Sequence, residues 1–284
     1  MNRFLEMTEA KIRENNSLVC VGLDLDPEAM PELYKSRYQR YQMAGSEQDK
    51  VKVFCEFNGW IIEQTAPYVC TYKPNLAYYE ALGSAGMSVL LWTVDELHRR
   101  NFAVIGDAKK GEVSHTQVMY AKAIFEVYDF DATTINIYMG DEVAQPFLTY
   151  KDRFTFVLAK TSNPDSGVIQ NLLIKEKDGT EKYLYQIVVE KAKLWNAQTK
   201  NCGLVVGATY PEEMEVIRKM VPEMWLLVPG FGVQEGEPKV IVPGAMNAEK
   251  KGFVASSSRA IIYALDPAKA AEKLRDEINQ YRWK

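Results

Sequence analysis

Cysteine and histidine are scarce in this chain. Four cysteines, Cys20, Cys55, Cys70 and Cys202, are scattered over 284 residues without a C-x-x-C pair. Three of them abut aliphatic runs, as buried reduced thiols do, so no disulfide framework is expected. The two histidines, His98 and His115, lie too far apart for a helical ligand pair, which leaves an imidazole-built zinc or iron centre little to draw on. No metal site is expected. Also missing is any apolar run long enough to span a bilayer. The N-terminal MNRFLEMTEAKIRENNS mixes charges with apolar residues at helical spacing where a signal peptide would carry an apolar stretch. No membrane partner and a cytoplasmic location are the expectations. A surplus of one charge is absent too: 34 basic residues face 38 acidic ones, a net −4, with no basic stripe to offer nucleic acid or anionic lipid.

What is present is apolar material in short, regular doses. Apolar residues make up 47% of the chain, enough for a sizeable core. The length fits two small domains or one large α/β barrel, a class of about 250 residues. Eight β-branched runs recur: SLVCVGLD, YVCTYKPN, FAVIGDAK, ATTINIY, FTFVLAK, CGLVVGA, MWLLVPG and FVASSSR. Between them lie helix-periodic segments such as DKVKVFCEFNGWIIEQTA and PEEMEVIRKMV. Continuous apolar strands alternating with helices predict a parallel sheet, and eight of them predict closure into a (β/α)8 TIM barrel with an N-terminal helix. Two insertions are expected. Residues 25–50 form a long polar connection after the first strand, and Asp178-Gly179 marks a hairpin after the fifth. No repeat or composition break divides the chain, so residues 1–284 are assigned to one domain.

Almost every strand ends in a polar or small residue: Asp24, Lys73, Asp107 with Lys109, Asn136, Lys160, Gly230 and Arg259. In such barrels the strands' C-terminal ends meet at one mouth, so these groups point to a shared site. Residues two apart on a strand share a face, which puts Asp107 beside Lys109, and Lys73 enters from another strand end. Lysines in a partly dehydrated pocket need carboxylate neighbours, which the series Lys73, Asp107, Lys109, Glu112 supplies. Ammonium groups held beside a reacting carbon stabilise developing negative charge and can deliver a proton. The array is suited to carbanion chemistry. Taken alone, an Asp-x-Lys pair at a strand end is equally a surface ion pair of about 0 to 1 kcal/mol.

Over nearly its whole length the chain resembles the orotidine 5′-phosphate decarboxylase family, in its longer bacterial (type 2) subgroup. The motifs VGLDLDPE, YKPNLAYYEALGSAG, GDAKKGEVSHT, NIYMG with PFL, KTSNP, VVGATYPEE, LLVPGFGVQEG and SSSRAIIYA stand in the family's order. The resemblance implies a homodimer of (β/α)8 barrels that makes UMP from orotidine 5′-phosphate with no metal and no organic cofactor. It implies that Lys109 protonates C6 of the pyrimidine, that Asp107 sits against the departing carboxylate, and that Lys73 holds Asp107 and a ribose hydroxyl. Asp24 and Thr116 would bind ribose, Thr116 from the neighbouring subunit. Ser162 would read the pyrimidine amide, and Gln234 and Arg259 would hold the 5′-phosphate.

One catalytic position departs from the pattern. The family's motif is D-x-K-x-x-D, with the last aspartate donated across the subunit interface, and this chain has Glu112 there, one methylene longer. Ser114 replaces a glycine and His115 a small polar residue in the same loop. Glu112 keeps two other readings open: an Mg2+-dependent sugar-phosphate lyase of the same barrel type, or a weakened barrel that only binds nucleotide. Asn75 and Lys160 are expected at the mouth without a chemical role, and Tyr78, Tyr79, Trp92 and Trp225 in packing.

Overall fold

The computed structural model describes residues 2–232 and 236–283. All eight apolar runs form strands of one parallel sheet: β1 (Val19–Leu23), β2 (Thr71–Pro74), β3 (Ile105–Lys110), β4 (Ala132–Ile135), β5 (Phe154–Lys160), β8 (Cys202–Val206), β9 (Leu226–Pro229) and β10 (Phe253–Ser257). Neighbours in this order pair side by side, and β10 returns to β1 through Val19 opposite Ala255. Between β2 and β3 the ladder thins to single bridges, Tyr72 with Val104 and Asn75 with Asp107, which close the ring. The strands are buried because helices cover one face and packed side chains fill the other, so each reads as a continuous apolar run.

The hairpin stands where its turn signal placed it. Strands β6 (Leu173–Lys175) and β7 (Glu181–Tyr183) pair antiparallel between β5 and the helix Leu184–Thr199. The connection after β1 differs from expectation: a 13-residue helix, Glu32–Ala44, forms within it. Its apolar signal is aromatic and sparse. Tyr34 packs on Phe57 at 5.3 Å and Tyr38 on Phe54 at 5.0 Å, rings one turn apart docking on the helix Glu47–Thr65.

The opposite end of the barrel is shut by the N-terminal helix Arg3–Asn15. Asn2 caps it by accepting a bond from the Leu5 N–H at 2.9 Å, and Phe4, Thr8 and Ile12 form its buried stripe. Phe4 enters between Phe154 and Phe156, with ring centroids 5.4 and 5.6 Å away. Beside it Arg3 Nε meets the fully buried carboxylate of Asp131 at 2.7 Å. Asp131 also faces His98 Nε2 at 2.9 Å and accepts the Val104 N–H at 2.8 Å, so one buried acid ties the helix to two strand starts. Breaking a buried ion pair costs about 3–5 kcal/mol when the remaining charge is orphaned. Here His98 and Arg153 stay close to the acids of the cluster. Arg3→Ala should therefore lower the unfolding free energy by roughly 2 kcal/mol in urea titration. An unchanged midpoint would mean that the helix is held by Phe4 alone.

Candidate active site

The C-terminal ends of β1, β2, β3, β9 and β10 surround a cavity of about 520 Å³ whose polar lining includes Asp24, Lys73, Asn75, Asp107, Ser257 and Arg259. A second cavity of about 590 Å³ adjoins it, sharing Gly232, Ser257 and Ala260 but none of the clustered lysines. The chemistry sits in the first.

Its centre is the Asp107 carboxylate. Lys73 Nζ donates to Oδ2 at 2.8 Å, while Lys109 Nζ at 2.6 Å and the Thr134 hydroxyl at 2.9 Å donate to Oδ1. Three donors on one carboxylate, two of them cationic, favour the ionised acid. Burial would raise the Asp107 pKa, but the Lys73 and Lys109 charges outweigh it and hold the group well below the carboxylate range. Burial would likewise lower Lys73, yet Asp107 and then Asp24 keep its pKa above the ordinary lysine value. Neighbouring Cys20 is pushed up to about 12, chiefly by burial, and so stands beside Lys73 as a neutral thiol.

The two lysines differ in access. Lys73 is 5% exposed and lines the cavity, whereas the Lys109 side chain is 48% exposed and meets the site through Asp107. Simple strand alternation does not produce this arrangement. Lys109 has a left-handed backbone, φ 48°, and the β3–β4 register shifts between Gly106 and Lys110. The bulge brings the Lys109 N–H onto Thr134 Oγ1 at 3.0 Å, so a single hydroxyl holds both the backbone of Lys109 and the carboxylate of Asp107. Thr134 escaped the sequence reading because only strand pairing puts it there.

Other expected residues fall in different places. Asp24 lines the cavity with a buried Oδ1 that has no hydrogen-bond partner among the described residues. Arg259 is exposed at the rim just after β10, and in the neighbouring loop after β9 Gly230 adopts φ 103°, a backbone open to glycine at little cost. Gln234 lies outside the described residues. Ser162 sits in the loop after β5, where Thr209 Oγ1 donates to its carbonyl at 3.1 Å. Thr116 is exposed on the helix Ser114–Lys122. Glu112 does not join Lys73 or Lys109 within its own chain: its carboxylate accepts the Val113 N–H at 2.9 Å. Ser114, standing in place of the family's glycine, keeps a left-handed φ of 49°. Lys160 is sealed rather than open to the mouth, with no side-chain exposure. Among the described residues no three His, Cys, Asp or Glu side chains converge as a metal site. None of the described helices is long and apolar enough to cross a membrane.

A family model for orotidine 5′-phosphate decarboxylase / HUMPS proteins matches residues 17–274. The chain belongs to this family. It is 39% identical to the orotidine 5′-phosphate decarboxylase of Dehalococcoides mccartyi, covering 99% of this chain and 98% of the relative. It is also 39% identical to that of Thermomicrobium roseum, over 98% and 93% respectively. Among solved structures, Leishmania donovani OMP decarboxylase superposes with a TM-score of 0.82 at 33% identity, covering 100% of each chain. The Plasmodium berghei enzyme gives 0.85 at 26% identity over 98% of each. The range matched by the family model, residues 17–274, spans all eight strands of the barrel and both insertions.

The electrostatics of the cluster set its response to pH. Asp107 binds its proton more weakly folded than unfolded, so the stability it contributes is complete above the ordinary aspartate value near ~4 and drains away as pH falls below it. Lys73 is the mirror case, complete below about 10.4 and lost as pH rises past it. Asp107→Asn should lower the unfolding free energy at neutral pH by about 3 kcal/mol, leaving Lys73 buried without its counter-ion. It should also flatten the pH dependence on the acid side, measured by urea titration at several pH values. A wild-type slope in the variant would assign acid sensitivity to other carboxylates.

Proposed function

We propose that the chain decarboxylates orotidine 5′-phosphate to UMP in pyrimidine synthesis, by the cofactor-free route that the family resemblance implies. The observation that carries this reading is the Asp107 carboxylate gripped by two lysines at the barrel mouth. In the proposed step the bond from C6 to the carboxylate breaks, CO2 leaves and the electron pair stays on C6. The Lys109 ammonium stabilises that pair and then transfers its proton to C6, leaving a neutral amine that solvent reprotonates. Asp107 stands against the departing carboxylate and aims both lysines, while Lys73 holds Asp107 and a ribose hydroxyl. Asp24 Oδ1, without a partner among the described residues, suits a second ribose hydroxyl, since a buried unpaired acceptor gains most from a donor. Arg259 and the glycine turn at Gly230 fit the 5′-phosphate, with Gln234 added by resemblance, and Ser162 reads the base.

Electrostatic stabilisation of this kind supplies about 3 kcal/mol per donor, so removing the proton donor itself is severe. Lys109→Ala should reduce kcat by at least about 10³-fold, followed as the loss of orotidine 5′-phosphate ultraviolet absorbance. The variant should still fold, with its unfolding midpoint lowered only modestly, because Lys73 and Thr134 continue to hold Asp107 and the lost side chain is half exposed. Full turnover in this variant would refute Lys109 as the acid. Absence of turnover in the wild-type protein would favour the weakened nucleotide-binding barrel. The Mg2+-dependent reading drew on Glu112 as a metal ligand, and the engagement of that carboxylate with the Val113 N–H gives it no support.

The proposal includes a homodimer whose sites are completed across the interface. Val118 and Met119, on the helix that carries Thr116, and Tyr138 and Met139 after β4 expose apolar side chains near the mouth, as an unpaired interface would. In that arrangement Glu112 and Thr116 serve the partner's cavity. A mixture of Lys109→Ala and Glu112→Ala chains, each nearly inactive alone, should then regain about a quarter of wild-type activity after subunit exchange, through mixed dimers that hold one intact site. No recovery from subunits that do exchange would confine each site to one chain. The four unbonded cysteines fit a reducing cytoplasm.

A further inference from the structure

Lys160 closes β5, and a lysine completely shut from solvent is a costly choice at the end of a strand. Its compensation is loose. The Glu213 carboxylate stands 3.9 Å from Nζ, beyond hydrogen-bonding range, while Asn171 Oδ1 accepts from Nζ at 2.9 Å and the Tyr210 ring lies beneath it at 4.1 Å. Burial lowers the Lys160 pKa and Glu213 only partly opposes it. An apolar residue would fill this space at lower cost, so packing alone does not account for the ammonium.

Of the groups that Lys160 touches, Tyr210 fastens the next loop, Thr161–Asn163, and Asn171 adjoins a residue that does. From the hairpin side Gln170, adjacent to Asn171, accepts the Thr161 N–H at 3.0 Å and donates to the Thr161 hydroxyl at 2.8 Å. From the β8 side the Tyr210 hydroxyl donates to the Asn163 carbonyl at 2.9 Å, and Thr209 to the Ser162 carbonyl. Gly207 lets the two loops touch: a Cβ there would come within 2.7 Å of the Ser162 backbone. The ammonium therefore lies between Asn171, next to the residue that holds Thr161, and Tyr210, which holds Asn163, so the contacts it adjoins fix the loop on either side of Ser162. A register shift between Leu158 and Lys160 ends the regular β5–β8 ladder at this place.

We infer that Lys160, through Asn171 and the Tyr210 ring, is a positioning residue that sets Ser162 against the pyrimidine and so tunes base recognition. The inference rests on the proposed role of Ser162 as the base-reading residue. A residue that acts only through Ser162 loses its effect once Ser162 is gone, whereas a residue that merely supports the fold does not.

The test is a double-substitution cycle on kcat/KM for orotidine 5′-phosphate, with Ki for UMP as a binding readout. Lys160→Met should lower kcat/KM about 10-fold or more, and Ser162→Ala by at least as much. In the Ser162→Ala background the lysine change should cost less than about threefold, and Ki for UMP should follow the same pattern. Tyr210→Phe, which keeps the ring and removes only the loop-holding hydroxyl, runs the same cycle and decides the question if Lys160→Met does not fold. Additive losses in the cycle, or a wild-type kcat/KM for Lys160→Met, overturn the inference while leaving the decarboxylase reading intact. A folded wild-type protein without turnover, or Ser162→Ala at the wild-type rate, removes the reading on which the inference rests, and the inference with it.

Discussion

A carboxylate held ionised away from bulk water is stable only while cations and donors surround it, and Asp107 is that carboxylate here. The requirement reaches outward through the barrel. Lys73 must come from β2, Lys109 from a bulge in β3 and Thr134 from β4, so three successive strands have to be in register before the charge is compensated. The ring closes between β2 and β3 by isolated bridges, and one of them, Asn75 with Asp107, lies at the site itself. Where the backbone ladder is thinnest, the Lys73–Asp107 pair spans the seam with charge.

The two ends of the barrel divide their duties. At the strand starts, Phe4 and the Arg3–Asp131 pair shut the interior with a helix capped by its own Asn2. At the strand ends, polar groups are left incompletely satisfied. Among the described residues Asp24 Oδ1 has no hydrogen-bond partner, Arg259 is exposed, and Lys109 has only half its surface covered. This asymmetry separates stability from chemistry in space, and it lets the mouth carry unfavourable charge while the floor holds the fold.

Around the β5 end, polar groups hold one another in place over a single buried ammonium. The Thr161–Asn163 loop is gripped by Gln170, Thr209 and Tyr210, with Lys160 beneath. On the proposed role of Ser162, base recognition by a short hydroxyl demands placement finer than an unbraced loop provides, which gives physical sense to an otherwise expensive ammonium.

Strand identity was legible in the sequence because strands buried on both faces must be apolar throughout, and all eight runs became strands of the sheet. The location of Lys73, Asp107 and Lys109 at strand ends was legible for the same reason: charge is excluded from the run and tolerated where it stops. The helix Glu32–Ala44 was not legible, its docking face being two tyrosines among charges. Nothing in GDAKKG marks the left-handed turn at Lys109 or its grip on Thr134, and nothing in KTSNP marks Lys160 as sealed. Glu112 could be singled out by its length, but the direction of its carboxylate depends on the local backbone. Composition and periodicity thus determined which segments must be buried, since that follows from each residue's own affinity for water. Which lysine is buried and which half-open, and which carboxylate each one meets, were decided by tertiary structure, because those contacts join residues from different strands and exist only when the ring is closed.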